Sequence, residues 1–272
     1  MWWTALSLTA EIKIIIYKMS SPEPSDYGDD ERCMGCLEDD DYDPAELIYS
    51  AIDSSIVVDL PQSHDIRDVR HFHINNQKNT NSCVGHSVAA QLYYIHDTRQ
   101  SPLFLYYNTR FMNNELDVDN GMTIKSCYKA IANWGSADLQ YHDLHNSVYK
   151  SPTAECYLKA RKLEQWKPIR MNGYSWEIMY YLYKYSVPIV LGMEIYESFM
   201  KLGLNGFYQP PQPHEVRKGR HCVCIIGYDQ TERYFTLANS WGRSWSDEGF
   251  FRVYFDIIED RSLFSDFWVL SP

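Results

Sequence analysis

The chain has 272 residues, 45% of them hydrophobic and 15% aromatic, which suffices for one large packed domain or two small ones and excludes a wholly disordered protein. Its formal net charge of −11 is concentrated: 11 acidic residues and one basic, Arg32, lie between Ser20 and Leu47, so that stretch carries −10. The remainder is nearly neutral, which excludes the basic footprint of a protein that binds nucleic acid or an anionic membrane.

At the start, "MWWTALSLTAEIKIIIYKM" lacks a basic flank and a small-residue cleavage site, and Glu11 and Lys13 interrupt it, so neither a secretion signal nor a membrane span is expected. An extended start with Met19 as the initiator fits equally well. Residues 20–46 are rich in Asp, Glu, Ser, Pro and Gly and are expected to be disordered. Within them "CMGC" (33–36) is a lone CxxC without a second ligand pair, and no metal or cofactor is expected from it or from the rest of the chain. Seven cysteines, an odd number, with Cys222 and Cys224 alternating in an apolar run, suit a reducing compartment; an intracellular, cytoplasmic location is expected.

From about Ile56 the chain becomes extended and Pro-marked. Helices are predicted over 82–98, 102–116, 123–135 and 175–186, from apolar spacings of three and four and a stop at Gly135. Strands are predicted over 187–195, 221–229, 233–239 and 249–255. Helices first and an antiparallel sheet second define an α+β fold. Residues 1–55 read as an acidic N-terminal segment, a possible short pro-region, and 56–272 as one domain with a cleft between its halves.

Cys83 stands where the polar run "QKNTNS" meets a helix. A thiol reacts as thiolate, and a helix N-terminus both lowers its pKa and offers unpaired amides to an oxyanion. Gln77, six residues upstream, is a candidate second donor. Nine histidines could serve as base. His86 projects along the same helix, His64, His71 and His73 lie in the entry segment, and His96 is at the far helix end. His221 opens an apolar strand after the basic loop "EVRKGR". A hairpin centred near 230 or 231 pairs it, for a centre at 230, with Asn239, which could orient the imidazole; Trp241 and Trp245 of "NSWGRSW" could shield that contact. Each feature alone has a structural explanation, but Gln77, Cys83, His221 and Asn239 together form a nucleophilic constellation.

"NNQKNTNSCVGHSVAA", "GRHCVCIIGYDQTERYFTLANSWGRSWSDEGFFRV" and "SDFWVL" resemble papain-family (cathepsin-type) cysteine peptidases, from about Val58 to the C-terminus. The resemblance implies a two-lobed fold, a helical lobe followed by an antiparallel β lobe. It assigns Gln77 to the oxyanion, Cys83 as nucleophile, His221 as base, Asn239 as its orienter and Trp241 as the cover. It also implies that Asn120 and Gly121 meet the substrate backbone. Cys222, with Met193, should line an uncharged specificity pocket that favours Leu, Val or Phe. Val84 stands where the family usually has tryptophan, Thr80 where it has a disulfide cysteine, and the N-terminal stretch lacks the usual prodomain pattern. The likeness is to the compact, disulfide-poor forms of bacteria and large DNA viruses.

The expected function is peptide-bond hydrolysis through a thiolate–imidazolium pair and a thioester, by a monomer acting on protein or peptide substrates. An amidase or acyltransferase using the same thioester, and a catalytically weak binding module, are the alternatives. A partial shielding of the cleft is also expected, from acidic residues of the N-terminal stretch paired with Arg217, Lys218 and Arg220, and sensitive to salt.

Overall fold

A computed structural model describes residues 32–39, 48–49 and 59–272. The readings of the first 19 residues, and those on most of the acidic stretch, lie outside the described residues.

The helical half is built on α1 (Cys83–His96), whose residues from Cys83 to Ala89 are all buried. α2 (Pro102–Asn113) and α3 (Ile124–Trp134) pack beside it. Their starts follow from sequence: Ser101 accepts from the Phe104 amide with Pro102 in the first turn, and Thr123 accepts from the Ser126 amide. Gly85 permits the close α1–α2 approach, since a Cβ there would sit 2.6 Å from the Pro102 carbonyl oxygen. A short helix, α4 (Ala154–Lys159), follows, and α5 (Ser175–Tyr185) packs on the sheet, where Tyr181 Oη donates to the Leu270 carbonyl at 2.6 Å. The predicted helices at 82–98, 102–116, 123–135 and 175–186 are all present; α4 is additional, one and a half turns capped by Thr153 and too short for a periodic pattern.

The second half is a twisted sheet. β1 (Ile48–Tyr49), β2 (Ser63–Asp65), β3 (Lys167–Met171), β4 (Ile189–Tyr196), β5 (Arg217–Asp229), β6 (Tyr234–Ala238), β7 (Phe250–Tyr254) and β8 (Phe264–Ser271) pair in the order β1-β3-β8-β4-β5-β6-β7, with β2 on β5. All pairings are antiparallel except β1 on β3. This is the α+β, two-lobed arrangement. The short helix α6 (Glu197–Met200) and the one-turn α7 (Phe255–Ile258) fill its corners.

Strand β5 is the spine. It pairs with β2, β4 and β6, and it packs on α1 through Ser87, whose Oγ donates to the Cys222 carbonyl at 3.0 Å. Cys224 Sγ donates back to the Ser87 carbonyl at 3.3 Å. The N-terminus of α1 is therefore fixed against the strand that carries His221.

Residues 32–39 depart from the disorder expected of their composition. They run between the two halves with Cys36 buried, and Cys36 forms a parallel bridge with Met122. The stretch as a whole is acidic, whereas "CMGCL" within it is apolar and small enough to be buried.

Candidate active site

Cys83 opens α1 and is fully buried. Ser82 precedes it without capping the helix; its hydroxyl bonds the Thr80 hydroxyl at 2.7 Å instead. The first amides of α1 thus keep their hydrogens for other acceptors. The Val84 amide of this turn points at the Cys83 sulfur, together with the amides of Gly35 in the cleft segment and Cys222 on the sheet.

His221 lies on β5 opposite Met193 of β4. Its Nε2 is 2.7 Å from Asn239 Oδ1, which also accepts from the Ser240 amide at 2.7 Å. An oxygen that already accepts one hydrogen identifies Nε2 as the protonated ring nitrogen. Nδ1 is buried with no partner, and so is left as the lone-pair nitrogen. Trp241 covers the imidazole, ring centres 4.7 Å apart at 32°. The hairpin register corrects the expected pairing: Cys224 faces Ala238, a centre of 231, which carried to the end of the pair puts Trp241 rather than Asn239 opposite His221. β6 stops at Ala238, and Asn239 reaches the ring with its side chain from just beyond the strand.

Gln77 is also buried. Its Oε1 accepts from Ser240 Oγ at 2.6 Å, and its Nε2 donates to the Thr80 carbonyl at 2.7 Å and the Cys33 carbonyl at 3.0 Å. Ser240 is a positioning residue the sequence reading missed; its place next to Asn239 was the available signal. The cleft segment makes further backbone bonds: Met122 N to Gly35 O at 2.8 Å, Leu37 N to Met122 O at 3.1 Å, and Cys36 N to Arg220 O at 3.2 Å. Gly121 has φ +88°, and a Cβ on it would overlap the Gly35 carbonyl, so the expected close approach of an extended backbone at Gly121 is seen here with the chain's own residues. Asn120 is exposed beside it. Tyr106, also missed, accepts from the Gly121 amide at 3.0 Å and holds Asp119.

On the other wall, Cys222 and Met193 are fully buried. The contacts to the segment come instead from Arg220, whose Nη1 donates to the Leu37 carbonyl at 3.0 Å and whose Nη2 donates to Ser265 Oγ at 2.8 Å. Arg220 thus brings a charged side chain to this wall, paired with Glu194 at 3.6 Å from Nε, beside the Cys222 and Met193 expected to line an uncharged pocket. Most of the acidic residues expected to make these contacts lie outside the described residues; of those within, Glu38 attracts Arg217 from nearby. Arg217 pairs with Glu194 and Lys218 with Glu197, partners on neighbouring elements of the sheet half. Asp39 of the segment pairs with Arg170 at 2.6 Å and Lys125 at 3.7 Å.

With the segment in place the reacting groups are neutral. Burial pushes the Cys83 thiol up to about 12, and the neighbouring Cys36 thiol adds to the rise. Burial lowers His221 to about 4, against the opposing pull of Asn239. The helix N-terminus was expected to favour thiolate, but desolvation wins while the cleft is filled.

A buried thiol at a helix start, facing a histidine strand across a peptide-filled groove, defines the class of two-lobed thiol hydrolases. The chain belongs to the papain family of cysteine proteases, whose family profile matches residues 60–262. It is accordingly a cysteine-type peptidase, a hydrolase. It is 28% identical over 245 residues to an uncharacterised peptidase C1-like protein of Acanthamoeba polyphaga mimivirus, covering 83% of this chain and 76% of that one. Cathepsin B-like protease 1 of Arabidopsis thaliana is 34% identical over 87 residues, 31% of this chain and 22% of that protein. Among solved structures, xylellain, a cysteine protease from Xylella fastidiosa, superposes with TM-score 0.77 at 24% identity, over 89% of this chain and 96% of that one. Digestive procathepsin L2 proteinase of Tenebrio molitor does so with TM-score 0.68 at 15% identity, over 89% and 79%. Among the described residues no helix is long and apolar enough to cross a membrane.

Proposed function

We propose that the chain is an endopeptidase in which Cys83 is the nucleophile and His221 the base. The Cys83 proton passes to His221 Nδ1, and the sulfur attacks the scissile carbonyl carbon. The oxyanion is stabilised by the Cys83 amide and Gln77 Nε2. Collapse breaks the C–N bond as Nδ1–H protonates the leaving amine. Water then gives its proton to Nδ1 and its oxygen to the thioester carbonyl, releasing acid and thiol. Asn239 holds the ring in the tautomer this requires, and Trp241 keeps water from that bond.

One observation carries this reading: an extended peptide lies in the groove with its Cys33 carbonyl on Gln77 Nε2 and the Gly35 carbonyl on the Met122 amide. A site that receives its own backbone in this way suits a peptide substrate better than a small amide. Gly121 and Met122 then bind substrate backbone on one wall, and Cys222 and Arg220 border the other. All seven cysteines are unbridged, which supports a reducing compartment.

The test is turnover of a peptide library by the purified, reduced chain and by Cys83→Ala. Loss of cleavage by several orders of magnitude is expected, and near-normal cleavage by Cys83→Ala overturns the assignment.

A further inference from the structure

The acidic end of the cleft segment is bound by side chains from both halves of the fold. Leu37 is fixed by its amide to the Met122 carbonyl at 3.1 Å. Asp39 follows two residues on, within about 7 Å of extended chain. Its side chain is 8% exposed. Asp39 Oδ2 accepts from Arg170 Nη2 of β3 at 2.6 Å, and Lys125 Nζ of α3 stands 3.7 Å from the same oxygen. The guanidinium is also held from behind: it lies 5.2 Å from the centre of the Trp268 ring, with Nη2 3.3 Å from Asp266 Oδ1. Asp266 in turn accepts from Trp268 Nε1 at 2.7 Å. Lys125 is buried in the first turn of α3, where neither the helix dipole nor burial favours a cation. A carboxylate at that point offsets both effects.

We infer that Lys125 and Arg170 form a subsite for an acidic side chain of the substrate, three residues along from the one that lies at Met122. The segment is the template: Cys36 makes the parallel bridge to Met122, and Asp39 is three residues further on. Charge is selected because a guanidinium–carboxylate bond is roughly twice as strong as a neutral one, and here it lies largely out of bulk water. Asn in the same place keeps the shape and an acceptor oxygen but loses the charge. The inference rests on the proposed reading that a peptide substrate follows the path of residues 33–37. The side chain it concerns is remote from the scissile bond, so the preference enters KM and leaves kcat alone.

The reduced full chain is given matched peptides in which each position flanking the cleaved bond is varied through Asp, Glu, Asn and Lys. Competition from the chain's own segment scales kcat/KM for all peptides alike, so ratios within one chain report the subsite. At one outer position Asp or Glu should exceed Asn by about tenfold in kcat/KM, through KM. Lys125→Gln should cut that ratio about threefold, and Arg170→Gln should bring it within about twofold of unity. Arg170→Gln also takes a partner from Asp266, so if that variant fails to fold, Lys125→Gln on the helical half decides alone. Equal cleavage of Asp and Asn peptides at every position, or an undiminished preference in folded Lys125→Gln, overturns the subsite. If the full chain cleaves no peptide, the peptidase reading fails and the subsite is judged on the segment itself. Hydrogen exchange in the peptide containing residues 32–39, read by mass spectrometry, should then quicken about tenfold in Asp39→Asn and in Lys125→Gln. An unchanged rate in either variant overturns the carboxylate site.

Discussion

Gln77 Nε2 donates to the Cys33 carbonyl at 3.0 Å, so the side chain assigned to an oxyanion is occupied by the chain's own backbone. The segment is held at both walls by backbone bonds and by the buried Cys36, and its ion pairs, Asp39 with Arg170 and Lys125, are largely buried. Such bonds are little screened by salt. A chain beginning at Asp59, assayed under reducing conditions, should cleave peptides at least tenfold faster than the full chain. The ratio should stay within about twofold between roughly 20 mM and 300 mM salt, because screening acts on exposed charges. Equal rates for the two chains would show that the segment leaves the cleft unaided.

Gln77 and Ser240 form a chain of dependence, since Ser240 Oγ donates to Gln77 Oε1 at 2.6 Å and so turns Nε2 toward the groove. Gln77→Ala should lower kcat by about 10²–10³ with little change in KM, the loss of one oxyanion donor. Ser240→Ala should lower it by on the order of tenfold, because the amide can still find the geometry part of the time. Steady-state kinetics on the chain beginning at Asp59 measures both, and a change in KM alone would move Gln77 from oxyanion to substrate binding.

The candidate site was legible in the sequence where it depends on local seams: Cys83 at a loop-to-helix junction, His221 at the start of the apolar run of β5, which itself begins earlier, at Arg217, and Asn239 just past a strand end. The hairpin register was less legible, because its irregularity between Ile225 and Gly227 shifts the pairing by one residue and a sequence does not display a bulge. Strand β3 is short and half-buried, and helix α4 is short and exposed except at Cys156, so their periodicity is weak. Hardest to read was the cleft segment. Its burial comes from bonds to Met122 and Arg220, 86 and 184 residues away in sequence, and no local pattern reports them.

Gly121 offers a test of the backbone wall. Its φ of +88° and its contact with the Gly35 carbonyl leave no room for a side chain. In the chain beginning at Asp59, Gly121→Ala should raise KM several-fold while kcat changes by less than about twofold. It should also destabilise the fold by about 1 kcal/mol through the left-handed backbone, measured by urea unfolding. An unchanged KM would place substrate elsewhere.

Acid should weaken this fold through its buried neutral histidines. Burial lowers His221 to about 4 and His86 to about 3, and His86 Nδ1 has no partner. Unfolded, each titrates near 6.5. Below that value the unfolded chain binds protons that the folded chain refuses, so stability falls as pH falls, by roughly 1.4 kcal/mol per unit and per group. At pH 5 the two together amount to about 4 kcal/mol on this slope. The loss continues until each folded pKa is reached, near 4 for His221 and near 3 for His86. Asp266 and Glu177, raised by burial, act in the opposite sense: their folded forms hold protons longer, which favours the fold in acid. Replacing one histidine separates the two effects. His86→Phe should reduce the fall in urea midpoint between pH 7.5 and pH 5, though by less than half, because burial also lowers His73, His64, His96 and His142, which add to the fall. If its midpoint falls as steeply as that of the natural chain, His86 accepts its proton in the folded state and the burial argument fails at that residue.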